Sequence, residues 1–122
     1  MSSMEHANVY HRIETVENYT EIRDAAQTYI RDNLDKRLVI TDFVRDKGFS
    51  QRQVQRALSY HDTNWQRMVL DERMIRAEQL LTHSGEPIGR VAEMVGYNHS
   101  QFTRIFKTEK GETPEDFRKS RQ

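Results

Sequence analysis

The sequence predicts an all-α protein built around two copies of a helix-turn-helix. The segment from Pro87 to Arg118 has the pattern of a short helix, a glycine turn and a second helix, and a segment 48 residues earlier repeats it. No alternating strand pattern occurs in the 122 residues. A composition of 35% hydrophobic and 31% charged residues suits a small helical protein with a thin core.

The first helix is expected to begin near Thr20, because apolar residues recur from there at helical spacing. These residues are Ile22, Ala26, Tyr29, Ile30 and Leu34. Residues 1–19 are predicted to form an N-terminal extension. The periodicity of residues 1–17 is weak, which fits either a disordered tail or a loose additional helix.

The two helix-turn-helix copies align without a gap. Their apolar residues coincide in six pairs: Ile40/Ile88, Phe43/Val91, Val44/Ala92, Phe49/Tyr97, Val54/Phe102 and Leu58/Phe106. Gly48 coincides with Gly96, and each follows an amphipathic stretch, which predicts a helix that ends in a left-handed residue. Ser50 and Asn98 come two residues later and are good N-caps, so a second helix is predicted to start at each.

The second helix of each copy is predicted to expose a polar face. Val54 with Leu58, and Phe102 with Phe106, are i,i+4 pairs that form a buried stripe. The opposite face carries hydrogen-bonding side chains, which base-edge reading requires. They are Gln51, Arg52, Gln55 and Arg56 in the first copy and His99, Ser100, Thr103 and Arg104 in the second.

A long helix is predicted between the copies, from Trp65 to Thr82. At ~1.5 Å per residue it would be roughly 27 Å long. That length is close to the pitch of B-DNA, about 34 Å, so the helix would hold two reading helices about one turn apart. Arg73 falls on its apolar stripe, which predicts a partner acid or carbonyl. The stripe itself comprises Trp65, Val69, Ala77, Leu80 and Leu81.

Two prolines mark the starts of later helices. Pro87 is suited to the first turn of the helix after the linker. Thr113 and Pro114 form a cap followed by a first-turn proline, and Phe117 is predicted to be buried in the last helix.

Several classes of protein find no support. The chain has no cysteine, and His6, His11, His61 and His83 lack metal-ligand spacing, so no metal or disulfide is expected. There is no nucleophile elbow or glycine-rich phosphate loop, so neither a cofactor nor enzyme activity is expected. No apolar run is long enough for a membrane span and no signal peptide is visible, so a cytoplasmic protein is expected.

The charge balance is unusual for a nucleic-acid binder. Nineteen basic and nineteen acidic residues cancel, whereas DNA-binding proteins are usually basic because they neutralise phosphates. Residues 87–122 hold seven basic and five acidic residues, which leaves room for a local basic face.

Taken together, these residues resemble the DNA-binding domain of the AraC/XylS family of bacterial transcription regulators. The resemblance covers about residues 20–119, and it includes Arg73, Ala77, Leu80 and Leu81 of the linker. It is most specific after the linker, at Ile88, Val91, Ala92, Gly96, Tyr97, Phe102, Arg104, Phe106, Lys107, Gly111, Thr113, Pro114 and Arg118.

The resemblance implies about seven helices in two helix-turn-helix subdomains, residues 20–62 and 85–122, joined by a linker helix over 63–84. The third and sixth helices would enter successive major grooves of double-stranded DNA. Lys107, Arg90 and the helix N-termini would suit phosphate. The implied base readers are Arg52, Gln55 and Arg56 in the first copy and His99, Ser100, Thr103 and Arg104 in the second.

The chain departs from the family pattern at three places. The spacing from Gly96 to Phe102 is one residue shorter than usual and equals that of the first copy, which predicts a shifted or rotated sixth helix. Asp62 replaces a glycine that usually follows the first reading helix, and Val44 replaces an alanine. Because the chain has no room for the sensing or dimerising domain of most members, it is expected in the short, single-domain subgroup typified by MarA and SoxS.

The prediction is therefore a sequence-specific DNA-binding transcription regulator that acts as a monomer, with RNA polymerase as a candidate partner and no small-molecule effector. Two alternatives stay open. One is a protein-interaction module of the same fold, which the zero net charge and the shortened turn favour. The other is an architectural DNA-binding protein that bends DNA.

Overall fold

The structure, a computed structural model that describes residues 15–122, is helical with no strand over that range. This confirms the predicted all-α class. No helix in the described range is long and apolar enough to cross a membrane. The seven helices of residues 15–122 are α1 (Val16–Arg31), α2 (Ile40–Lys47), α3 (Gln51–Tyr60), α4 (Trp65–His83), α5 (Ile88–Met94), α6 (His99–Lys110) and α7 (Pro114–Arg121).

The described residues form two compact units. The first contains residues 15–29 and Val39–Met68, and the second contains Ile30–Leu38 and Val69–Gln122. Each unit holds one helix-turn-helix, α2–α3 in the first and α5–α6 in the second. The subdomain ranges predicted from the sequence stay a prediction.

The core of the first unit is organised around Phe43, which is fully buried. Its ring lies 5.2 Å from the ring of Tyr29, 5.4 Å from Trp65 and 5.9 Å from Phe49, centroid to centroid. Tilted aromatic pairs at such distances add to the free energy gained by burial. The other buried apolar residues of this unit are Ile22, Ala26, Val54, Ala57, Leu58, Trp65 and Met68.

The core of the second unit collects residues from α4, α5, α6 and α7. The rings of Phe102 and Phe106 are 5.6 Å apart, and Phe106 meets Phe117 edge-on at 5.2 Å. Phe117 is therefore buried as predicted. The cluster comprises Met74, Ala77, Leu80, Leu81, Val91, Ala92, Val95, Phe102, Phe106 and Phe117.

The predicted start of α1 at Thr20 is wrong, because the helix begins at Val16. The side chain of Thr15 accepts a hydrogen bond from the backbone N–H of Asn18 at 3.2 Å, which is the geometry of a helix cap. The hydroxyl of Thr20 instead donates to the carbonyl of Val16 inside the helix, at 3.1 Å. Residues 15–19 of the predicted extension thus belong to the cap and first turn of α1, and residues 1–14 lie outside the described range.

Pro87 also differs from its predicted place in the first turn. It is the N-cap of α5, with a ψ of 150° that keeps it outside the helix, and α5 begins at Ile88. Thr113 and Pro114 occupy the expected positions, because the Thr113 side chain accepts from the N–H of Asp116 and Pro114 is the first residue of α7.

Arg118 ties α7 to the C-terminal end of α4. Its Nε donates to the carbonyl of Leu81 at 3.0 Å, and its Nη2 lies 3.5 Å from the carbonyl oxygen of Leu80 and 3.4 Å from that of Ser84. These carbonyls lie at the end of α4, where the last turn leaves acceptors such as that of Leu81 without intrahelical partners, whereas the Leu80 carbonyl also accepts from the N–H of Ser84 at 3.0 Å. A cation at this end also interacts favourably with the helix dipole.

A second arginine, Arg73, links α4 to the segment after α1. Its Nη2 donates to the carbonyl of Lys36 at 3.0 Å, which confirms the carbonyl partner predicted for it. Its guanidinium carbon lies 5.0 Å from the centre of the Tyr97 ring, within the range of a cation–π contact. Nearby, the buried carboxylate of Glu72 accepts from Arg31 at 2.6 Å, so this buried charge is paired.

We expect Arg118→Ala to lower the free energy of unfolding by about 1–3 kcal/mol, because charged hydrogen bonds to helix-end carbonyls are lost. Urea denaturation followed by circular dichroism measures the loss. Lys119→Ala is the matched control, since Lys119 is a neighbouring exposed cation in the same helix. An Arg118→Ala midpoint equal to that of the control would contradict the capping role.

Candidate nucleic-acid interface

The same local geometry starts α3 and α6, the two helices that the sequence predicts to read DNA. Gly48 and Gly96 adopt left-handed backbone angles, with φ of 76° and 87°. The Ser50 side chain then accepts from the N–H of Gln53 at 3.0 Å, while the Gln53 side chain accepts from the N–H of Ser50 at 3.1 Å. This reciprocal pair is a capping box, and it confirms Ser50 as the predicted cap.

The second copy repeats the capping box with Asn98 as the cap. Its side chain accepts from the N–H of Gln101 at 2.9 Å, and the Gln101 side chain accepts from the N–H of Asn98 at 3.1 Å. Sequence reasoning identified both caps but missed their glutamine partners. The signal was present, because Gln53 and Gln101 each stand three residues after the cap.

The two turn glycines differ in their surroundings. A Cβ atom built on Gly96 would lie 2.4 Å from the carbonyl oxygen of Leu34 and 2.7 Å from Nη2 of Arg73. A Cβ atom on Gly48 would meet nothing within 4 Å. Gly96 is therefore required by both its φ and a close backbone approach, whereas Gly48 is required by its φ alone.

The buried stripes orient the reading faces. Val54 and Leu58 of α3, and Phe102 and Phe106 of α6, are at most 1% exposed, as predicted. Their burial turns the opposite side of each helix to solvent. There Gln51, Arg52, Gln55, Arg56, His99, Ser100 and Arg104 are exposed, and Thr103 is half-buried.

The face of α6 lines an open groove on the second unit. Two rows of side chains with i,i+4 spacing form it, His99–Thr103–Lys107 and Ser100–Arg104–Thr108. Every residue predicted for DNA contact on α6 lies in this groove. Thr108 was missed, although it stands four residues after Arg104 and so falls on the same face.

The three hydroxyl groups of this groove all donate inside the protein. Ser100 Oγ donates to Oδ1 of Asn98 at 3.1 Å. The Thr103 hydroxyl donates to the carbonyl of His99 at 3.1 Å, and the Thr108 hydroxyl donates to that of Arg104 at 3.0 Å. The rest of the groove is lined by the basic side chains of Arg104 and Lys107 and by the His99 imidazole.

Two carboxylates lie beside cationic or ionisable groups predicted to contact DNA. Nη1 of Arg90 is 3.6 Å from a Glu93 carboxylate oxygen, and Nε2 of His99 is 3.9 Å from one of Glu115. All four side chains are well exposed. These pairs offset local positive charge, in keeping with the zero net charge of the whole chain.

Asp62 retains the backbone conformation of the glycine that it replaces in the family pattern. Its φ is 57°, and it is the one non-glycine residue with positive φ in the described range. Aspartate tolerates this left-handed region better than most residues with a Cβ. The backbone after α3 can therefore follow the same path with Asp62 as it would with a glycine at this position.

The arrangement just described is that of a helix-turn-helix domain, and comparison with known proteins identifies its family. The residue pattern of the helix-turn-helix domain family matches residues 44–120, which is more than half of the chain. The chain belongs to the AraC/XylS family of helix-turn-helix DNA-binding domains. The short MarA/SoxS subgroup expected from the sequence stays a prediction.

A curated relative and two solved structures illustrate the similarity. The transcriptional activator FapR of Escherichia coli is 30% identical over 91 residues, which cover 74% of this chain and 35% of FapR. The chain thus spans about a third of the length of that relative. A DNA-binding transcriptional dual regulator from Escherichia coli K-12 is 26% identical with a TM-score of 0.76, over 81% of this chain and 90% of that one.

The second solved structure, an AraC-type transcriptional regulator from Chromobacterium violaceum, superposes with a TM-score of 0.78 at 23% identity. The superposition covers 86% of this chain and 96% of the other. At this identity the likeness shows a shared fold.

The two turn glycines provide a paired stability test. We expect Gly48→Ala to cost about 1–2 kcal/mol of unfolding free energy, because alanine resists the left-handed region. Gly96→Ala should cost clearly more, since its Cβ would also collide with the Leu34 carbonyl. Urea titration of both variants gives the comparison, and equal losses would mean that the close approach at Gly96 relaxes freely.

Proposed function

We propose that this chain is a sequence-specific DNA-binding transcription regulator whose helices α3 and α6 each read a segment of major groove. The observation that carries the proposal is the repeated local design, in which a left-handed glycine, a capping box and a buried stripe present an exposed polar helix face twice. A helix with its N-terminal residues turned to base edges is how helix-turn-helix proteins read DNA.

The chemistry of the two faces supports the proposal. Arginine pairs with the O6 and N7 atoms of guanine, and glutamine pairs with adenine, through two hydrogen bonds each. Arg56 and Arg104 occupy the same position in the two copies, and Gln55 stands beside Arg56. Lys107 is an exposed cation on the face of α6, and Arg90 is an exposed cation of α5. Phosphate contacts from such cations would fix the register of the protein on DNA.

The relatives point the same way. FapR is a transcriptional activator, and the similar Escherichia coli K-12 protein is a DNA-binding transcriptional dual regulator. We carry these properties over to the present chain as part of the proposal. Binding as a monomer, with two reading helices in one chain, and contact with RNA polymerase belong to the same proposal.

The charge balance supports a second candidate, a protein-interaction module of the same fold that binds RNA polymerase or another regulator. Nineteen acidic residues match nineteen basic ones, Glu93 lies beside the Arg90 guanidinium, and Glu115 lies beside the His99 imidazole. Selection of binding sites from a random pool of duplex DNA separates the two candidates. An enriched sequence supports DNA reading, and the absence of enrichment at moderate salt supports the interaction module.

Once a site is selected, Arg56→Ala and Arg104→Ala should each weaken its binding by about 1–3 kcal/mol if the guanidinium groups contact bases. Fluorescence anisotropy with the selected duplex measures the change, and circular dichroism confirms that each variant is folded. Arg23→Ala and Arg76→Ala are matched controls from α1 and α4, with side chains hydrogen-bonded to Asp24 and Gln79. Parent-like binding by both reading-face variants would refute the base-contact assignment.

The Arg90–Glu93 pair provides a test of phosphate contact. Glu93→Gln should raise DNA affinity about two- to fivefold at low salt, because it removes a carboxylate that competes with phosphate for Arg90. Arg90→Ala should lower the slope of log affinity against log salt by about 1. In the Arg90→Ala background the Glu93→Gln gain should disappear.

Glu112→Gln is the control for the Glu93 variant, because Glu112 pairs with Arg121, away from the predicted contacts. An equal gain from Glu112→Gln would indicate a general charge effect in place of a specific competition at Arg90. Titrations at several salt concentrations distinguish the two results.

A further inference from the structure

We propose that α6 recognises a thymine through the methyl group of Thr103. The inference rests on the proposed function, because it concerns which base the α6 face reads. It begins from the hydrogen bonds of the groove hydroxyls, which restrict what those side chains can offer to a base.

A hydroxyl carries one proton, and in Ser100, Thr103 and Thr108 that proton is donated within the protein. None of the three can donate to a base edge without breaking an internal bond. Each retains lone pairs, and each threonine also retains a methyl group. Donation to DNA from this groove therefore falls to Arg104, Lys107 and His99.

The positions of Thr103 and Arg104 make them the central residues of the two rows. Thr103 lies between His99 and Lys107, and Arg104 lies between Ser100 and Thr108. If α6 enters the major groove of DNA, Thr103 and Arg104 would contact the same base step. A guanidinium suits guanine, and a threonine methyl suits the C5 methyl of thymine, which is the apolar feature of the major groove.

The corresponding position in the first copy has a different chemistry. Gln55 stands 48 residues before Thr103, as Arg56 does before Arg104. A glutamine amide offers both a donor and an acceptor, which suits adenine N7 and N6. The two copies thus share the arginine and differ in the residue before it, which sets the chemistry of Thr103 apart from that of Gln55.

The rival explanation for a base preference at Thr103 is that a lone pair of its hydroxyl oxygen accepts a hydrogen bond from the base. It would accept from adenine N6 or cytosine N4 and would not sense the thymine methyl. Substitution of Thr103 by valine or by serine separates the two explanations. Thr103→Val keeps a methyl at the same branch and loses the oxygen, whereas Thr103→Ser keeps the oxygen and loses the methyl.

The experiment uses the full chain and a duplex selected from a random pool. Each thymine in the half-site protected by α6 is replaced singly by deoxyuridine, which removes only the C5 methyl. The parent protein should lose roughly fourfold in affinity at one position, the loss expected for one buried carbon group. Thr103→Val should show the same loss, and Thr103→Ser should bind thymine and uracil duplexes equally.

Thr108→Ser is the matched control. Thr108 makes the same type of internal hydrogen bond in the same helix and lines the same groove, yet lies at its end. This variant should keep the parental ratio of thymine to uracil affinity. Circular dichroism melting establishes that every variant is folded.

The possible outcomes separate failure of the thymine inference from failure of the proposed function. If a sequence is selected but no uracil replacement weakens parental binding, or if Thr103→Ser keeps the full loss, the thymine inference is overturned and the proposed function stands. Loss of the uracil effect in Thr103→Val overturns it as well. If no sequence is selected, the proposed function fails and the inference falls with it.

Discussion

The second unit depends on the close approach of two backbones at Gly96. The Leu34 carbonyl lies where a Cβ would stand, and the Arg73 guanidinium fills the remaining space beside it. Arg73 also binds the Lys36 carbonyl and packs on the ring of Tyr97, the residue after the glycine. The segment that follows α1 thereby supports the turn between α5 and α6. Because α6 is capped two residues beyond that glycine, this contact positions the start of α6.

The two helix-turn-helix copies share a scaffold and differ in support and surface chemistry. Both use a left-handed glycine and a capping box, but Gly48 has open space around it. Both faces carry an arginine, but the face of α3 adds glutamine amides, whereas that of α6 adds hydroxyls whose protons are donated within the protein. The same backbone scaffold therefore presents different side chains in its two copies.

The zero net charge has a local counterpart in the structure. Glu93 lies 3.6 Å from Arg90 and Glu115 lies 3.9 Å from the His99 imidazole, so the protein places its own carboxylates beside two of the predicted DNA contacts. Phosphate attraction gives affinity without sequence information. In the DNA binding proposed above, a surface with less uncompensated charge would rely more on base contacts, and the identity of the central residues of α6 would matter more.

The amino-acid sequence by itself determined the helical class, the repeat, the two caps, the buried stripes and the faces opposite them, because each follows from local periodicity or from residues adjacent in the chain. It misjudged the start of α1, since Thr15 and Thr20 are both able to cap a helix and only the hydrogen bonds distinguish them. The tertiary structure decided which carbonyls Arg73 and Arg118 bind and why Gly96 admits no side chain. These contacts join residues 23 to 62 positions apart, so their geometry depends on how the helices pack.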